Sequence, residues 1–228
     1  MKMKATHLLF FALLIMKTAC GAAPNSFGFD HFWLVQVWPH GYCLDHNCSR
    51  TSDIFVLHGL WPVTFSGETL ISENRSDPNK ILKPLEKDGS LRKDLMKYWL
   101  SLTTKNTYYM KNFWVHEWDK HGSVQNRIKS PLVYFRRAVE LTKSLNLLKT
   151  LEDKGVLANG DSYPKFKYKK AIMDKTGQIP VLGCVKKDRQ FQLKEVTLCV
   201  DPEARNFRAC NYRMEEKCGK DNIKFPAP

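Results

Sequence analysis

Several things are missing from this chain of 228 residues, and each absence narrows what it can be. Past Met16 no apolar run approaches the roughly 20 residues that cross a bilayer, which argues against stable membrane association. No two cysteines have the CxxC spacing from which paired zinc clusters are built. Internal repeats, low-complexity tracts and linkers long enough to divide the chain are all absent, so one domain is expected. Acidic residues are scarce: 23 Asp and Glu face 36 Lys and Arg, a formal charge of +13. Such an excess attracts polyanions, whether nucleic acid, wall polymer or anionic membrane.

The one long apolar run stands at the N-terminus. "MKMK" is a short basic segment, "HLLFFALLIM" (7–16) an apolar stretch of signal-peptide length, and "ACGAA" (19–23) supplies small residues for cleavage. Residues 1–21 are therefore expected to be a signal peptide and 22–228 a single secreted domain. Loss of Lys2, Lys4 and Lys17 takes the charge from +13 to +10. Cys20 leaves with the leader, and an even six remain for an oxidising compartment: Cys43, Cys48, Cys184, Cys199, Cys210 and Cys218. Six cysteines allow about 15 pairings; their clustering favours a local Cys43–Cys48 bridge and two bridges within 184–218. "NRS" at Asn74 is a glycosylation sequon in a polar stretch. Asn47 opens a second formal match, cramped by the bridged Cys48.

Two strands are predicted early: "HFWLVQVW" (31–38), stopped by Pro39, and the apolar "IFVLH" (54–58). From 62 to 90, prolines and glycines predict loops with one short helix. Ser90 should cap a helix from Leu91 to about Ser101. Residues 112–121 read as a helix ended by Gly122. Ser130 with Pro131 should open the longest helix, to about Leu148. A further helix is expected at 165–176, ended by Gly177, followed by strands in "IPVLGCV" and "FQLKEVTLCV". Strands, then helices, then strands give an α+β fold.

The chemistry concentrates in "FWVHEWDKHG" (113–122). On a regular helix His116 and His121, five apart, diverge by roughly 140°, which argues against their sharing a metal ion; no metal or other cofactor is expected. Glu117 and His121 form an i,i+4 pair with Lys120 beside them, the parts of an acid–base site. A solvated helix face is the ordinary explanation of such a charge run. "FVLHGLWP" (55–62) tips the balance, because it sets His58 at the end of an apolar strand, before Gly59 and Trp61. Two opposed histidines with Lys120 and Glu117, on a basic secreted chain, suit metal-free RNA cleavage through the ribose 2′-OH.

These two segments resemble the paired active-site motifs of the secreted T-two ribonuclease family. "FDHFWLVQVWPHGYC" (29–43) resembles its opening strand and "KKAIMDKTGQIPVLGC" (169–184) its late helix. The resemblance implies a central antiparallel sheet flanked by helices, with Cys184–Cys218 nested around Cys199–Cys210. It implies His121 as general base and His58 as general acid, with a 2′,3′-cyclic phosphate between two steps. Glu117 and Lys120 would stabilise the transition state, His116 would hold phosphate and Trp61 would stack a base.

The departures matter too. Relatives usually continue the second motif with a cysteine where Val124 stands, and residues 59–115 contain no cysteine to partner one, so a whole bridge is missing. Val63 and Val37 replace the Asp and Gln often found in relatives, so no base preference is assigned. The basic charge and intact catalytic set favour a plant S-ribonuclease, the female determinant of gametophytic self-incompatibility, monomeric in the stylar matrix. Pollen F-box proteins of a ubiquitin ligase would then be its partners. The alternatives are a basic S-like defence or phosphate-scavenging ribonuclease, and a non-catalytic polyanion-binding or antimicrobial protein on the same scaffold.

Overall fold

The computed structural model describes residues 28–210, 215–219 and 222–228; the expected leader, with Cys20, lies outside them. Strand β1 (Phe29–Val37) is covered on both faces, and its burial is nearly continuous. It is the spine of the sheet, antiparallel to β2 (Val56–Thr64) on one side and β5 (Gln190–Val200) on the other. The hairpin partner β4 (Val181–Lys187) pairs antiparallel with β5. Its turn uses Asp188 and Arg189, both at positive φ, the geometry that matches strand twist in two-residue hairpins. Two short strands, β3 (Ser162–Pro164) and β6 (Asn222–Lys224), extend the sheet, with a single parallel β5–β6 bridge. The α+β sheet flanked by helices is as expected.

Helices fill the middle of the chain. After α1 (Pro39–Tyr42) come α2 (Pro78–Lys87), α3 (Gly89–Tyr98) and α4 (Thr107–Glu117). The stretch predicted as loops with one short helix therefore carries α2 and the start of α3. Asp88, not Ser90, caps α3 by accepting from Leu91 N. The long helix predicted to Leu148 is α5 (Pro131–Leu145), broken by Asn146 in the left-handed region before α6 (Leu147–Glu152). Helix α7 (Lys165–Thr176) ends at left-handed Gly177 as expected. One apolar cluster joins α2–α5 to β1 and β2; the other joins Trp38 and Phe225 to α6, α7 and β5. The three bridges are Cys43–Cys48, Cys184–Cys218 and Cys199–Cys210.

Strand β2 was predicted to stop near His58, yet it runs on to Thr64 through Pro62. It is an edge strand, where a residue without N–H is tolerated. Core residues hold that edge: Trp99 Nε1 donates to the His58 carbonyl at 3.2 Å, and Tyr134 Oη to that of Leu60 at 2.6 Å. Trp114 Nε1 in turn donates to the Trp99 carbonyl at 2.7 Å, so α3, α4 and α5 all brace the segment.

The helix caps differ in a measurable way. Asn106 accepts from Tyr108 N at 2.8 Å to start α4, whereas Ser130, at the N-cap of α5, makes no side-chain capping bond. Asn106→Ala should lower unfolding free energy by about 1 kcal/mol, while Ser130→Ala should leave it nearly unchanged. Urea denaturation of both variants checks this.

Candidate active site

His58 and Trp61 are three residues apart, so a regular strand would put them on opposite faces. Their rings nevertheless meet, centroids 4.9 Å apart. The reason is an irregularity in the β1–β2 register: Val35 faces Gly59, but Gln36 faces Leu57, leaving His58 as an extra residue. Such a bulge re-aims a side chain. Here it turns His58 to the face that carries Trp61. The sequence reading placed His58 at a strand end; it sits inside the strand, aimed by the bulge.

The second motif contains a matching irregularity. Helix α4 ends at Glu117, and Trp118–Gly122 forms a π turn, with Ser123 N donating to the Trp118 carbonyl at 2.8 Å. A π turn closes from i to i+5 rather than i+4, so the regular-helix separation of His116 and His121 does not apply. The two are near enough that the charge of His116 acts on His121.

Trp61 joins the two motifs. Its indole touches both imidazoles, 4.9 Å from His58 and 5.3 Å from His121 by centroids. Its Nε1 donates to Glu117 Oε2 at 3.1 Å. A Cβ on Gly59 would lie 2.0 Å from Trp61 Nε1 and 2.4 Å from Glu117 Oε2, so only glycine leaves room for this contact. Trp61, expected to stack a base, is thus placed in contact with both histidines and with Glu117.

Burial divides the titrating groups. It pushes the Glu117 carboxyl up to about 7, against the opposing pull of His58, the Trp61 N–H and Lys120. Burial lowers His121 to about 4, and the Lys120 ammonium pushes it the same way, against a hydrogen bond to the Leu70 backbone. Partial desolvation and Lys120 also lower His116, which is exposed and lines a surface pocket with Lys120, Ser72, Asn74 and Arg75. Near neutral pH the group therefore holds a neutral His121 and a Glu117 shared between its two protonation forms. Among the described residues no three His, Cys, Asp or Glu side chains converge to hold a metal ion.

The group at Trp61 is thus His58, Glu117, Lys120 and His121, with His116 at its margin. Sequence reasoning missed Glu195 on β5, whose Oε2 lies 3.3 Å from His58 Nδ1. Nothing in its surroundings, "LKEVTL", marks it as more than an outward strand residue.

Comparison with known proteins decides the family. The Ribonuclease T2 family model matches residues 29–210, which takes in both motifs. The chain belongs to the Ribonuclease T2 family. It is 32% identical to Ribonuclease S-7 of Nicotiana alata over 97% of each chain. It is 30% identical to Ribonuclease 1 of Arabidopsis thaliana, covering 98% of this chain and 97% of that one. The crystal structure of the self-incompatibility-associated SF11-RNase of Nicotiana alata superposes with a TM-score of 0.75 at 25% identity, covering 87% and 99%. The chain is accordingly an endoribonuclease, and its fold is that of the T2 ribonucleases.

Gly59→Ala tests the close approach at Trp61. The added methyl must separate the indole from Glu117, and a misplacement of about 1 Å can cost on the order of 10²-fold in rate. RNA cleavage should fall by that order while circular dichroism stays native; unchanged activity would show that the contact is dispensable.

Proposed function

We propose that this T2 ribonuclease cleaves single-stranded RNA without a metal, by transphosphorylation to a 2′,3′-cyclic phosphate that is then hydrolysed. The supporting observation is that two imidazoles contact Trp61 in opposite electrostatic surroundings. His121 is buried beside an ammonium, which favours its neutral form. His58 Nδ1 faces the Glu195 carboxylate at 3.3 Å, a partner that would stabilise the ring when it carries the proton. A neutral base and a charged acid are what in-line attack by the 2′-oxygen needs.

In the first step His121 takes the 2′-OH proton as that oxygen attacks phosphorus. His58 gives its proton to the departing 5′-oxygen as the P–O bond breaks. In the second step His58 takes a proton from water and His121 returns one to the 2′-oxygen, which restores both rings. Lys120 offsets the charge gathering on the phosphoryl oxygens. The raised Glu117 carboxyl supplies a neutral form that donates a hydrogen bond to one of them. His116, beside Lys120, holds phosphate, and Trp61 sets the spacing of the group. DNA lacks the nucleophile and should survive.

The finer role rests on charge and likeness. Similarity to Ribonuclease 1 nearly equals that to Ribonuclease S-7, so identity does not separate an S-like from an S-type enzyme. The basic charge favours the latter: a secreted, monomeric female determinant of self-incompatibility, with pollen F-box proteins of a ubiquitin ligase as partners. The exposed Asn74, in its sequon, is the glycan site.

Cleavage of a defined RNA in excess EDTA tests the mechanism. Activity should persist, spare DNA, release a cyclic phosphate, and fall about 10²–10⁴-fold in His121→Ala and in His58→Ala. The acid limb of kcat/KM should fall near pH 4, where His121 becomes protonated and stops accepting a proton. RNA binding without cleavage would favour the polyanion-binding alternative, and abolition by EDTA would overturn the metal-free scheme.

A further inference from the structure

His58 is set in place by its backbone bulge, but a bulge does not fix which way an imidazole turns about its last bond. Two aromatic edges touch the ring, Trp61 at 4.9 Å and Tyr42 at 6.3 Å between centroids. Neither distinguishes one ring nitrogen from the other. The group that does is Glu195, through the contact of Oε2 with Nδ1 at 3.3 Å.

Several features around Glu195 serve that contact. Its strand position faces Val37 on β1 and Gly183 on β4. A Cβ on Gly183 would come to 3.0 Å from Glu195 Cβ, so the glycine clears the space beside the carboxylate's stem. The neighbouring cation, Lys194, is engaged elsewhere: it reaches Asp45 at 2.7 Å and lies 5.3 Å over the Tyr42 ring. Among the described residues, His58 is the only ion-pair partner of Glu195. The carboxylate is about a quarter exposed. It is sheltered enough to hold a geometry while still in contact with water.

We propose that Glu195 is the positioning residue of His58: it accepts the Nδ1–H, fixes that tautomer, and turns Nε2 toward the leaving oxygen. The proposal rests on the reading of His58 as the general acid. The proton balance suits both steps. In the first, the Nε2 proton passes to the 5′-oxygen, the Nδ1–H stays on the ring, and Glu195 remains a carboxylate. The ring is then neutral with its lone pair on Nε2, the form needed to take a proton from water when the cyclic phosphate is hydrolysed. Without the carboxylate, the neutral ring divides between two tautomers and the second step has to wait for the correct one.

The test uses the full mature chain, Glu195→Ala, Glu195→Gln and His58→Ala, with two substrates. One is a dinucleoside monophosphate, whose 5′-alkoxide needs a proton to leave. The other is a nucleoside 3′-(4-nitrophenyl phosphate), whose phenolate leaves without one. Glu195→Ala should lose about 10- to 100-fold in kcat on the first, no more than the lower end of the range for the acid itself, with KM little changed. On the second it should lose less than about twofold. Glu195→Gln, which still presents a carbonyl to Nδ1–H, should recover most of the activity. Equal losses on both substrates in Glu195→Ala would make the residue merely structural and overturn the proposal. No loss on either, while His58→Ala loses selectively on the first, would overturn it as well. Equal losses on both in His58→Ala would instead remove the general-acid assignment on which the proposal stands.

Discussion

The hydrogen bond from Trp61 to Glu117 is the contact on which the rest of the site depends. One partner belongs to an edge strand and the other to the last turn of a helix, 56 residues later. Glu117 is 3% exposed and carries the one large upward carboxyl shift at the centre. Burying an ionisable group is costly unless its oxygens are satisfied, and the indole N–H satisfies one of them. The same indole touches both imidazoles. Removing the contact would disturb the electrostatics and the spacing of the site together.

Both halves of the centre are built on an irregular residue. In β2 the extra residue is His58 itself, and in the second motif the extra turn width lies between Glu117 and Gly122. A regular strand would hide either His58 or Trp61, and a regular helix would splay His116 from His121. Such insertions cost backbone hydrogen bonding, so they need support from outside the element. Trp99 and Tyr134 give it to β2 by taking up the carbonyls of His58 and Leu60. The core that braces the edge strand is thus also the mounting of the catalytic group.

Much of this was legible in the sequence. The apolar run at 31–38 and the alternation in "FQLKEVTLCV" announced the two central strands, because burial of whole faces leaves a long-range pattern. Pro131 and Gly177 marked helix ends by their own backbone preferences. His58, Glu117, Lys120 and His121 were picked out by residue type, and the fold brings them close to one another at Trp61. What stayed hidden depended on pairing. Neither the bulge nor the π turn has a local signature, and Pro62 in β2 was read as the start of a loop region because its edge position is a property of the sheet. Glu195 is 137 residues from His58, and only the register of β1 between their strands brings them together.

The central claim is that a buried carboxyl under the Trp61 indole organises the centre. The most direct measurement is a carbon-13 NMR titration of the Glu117 carboxyl in the folded, mature protein. The account predicts a midpoint at about 7, far above the ordinary glutamate value of 4.5. A midpoint near 4.5 would show a solvated side chain and contradict it.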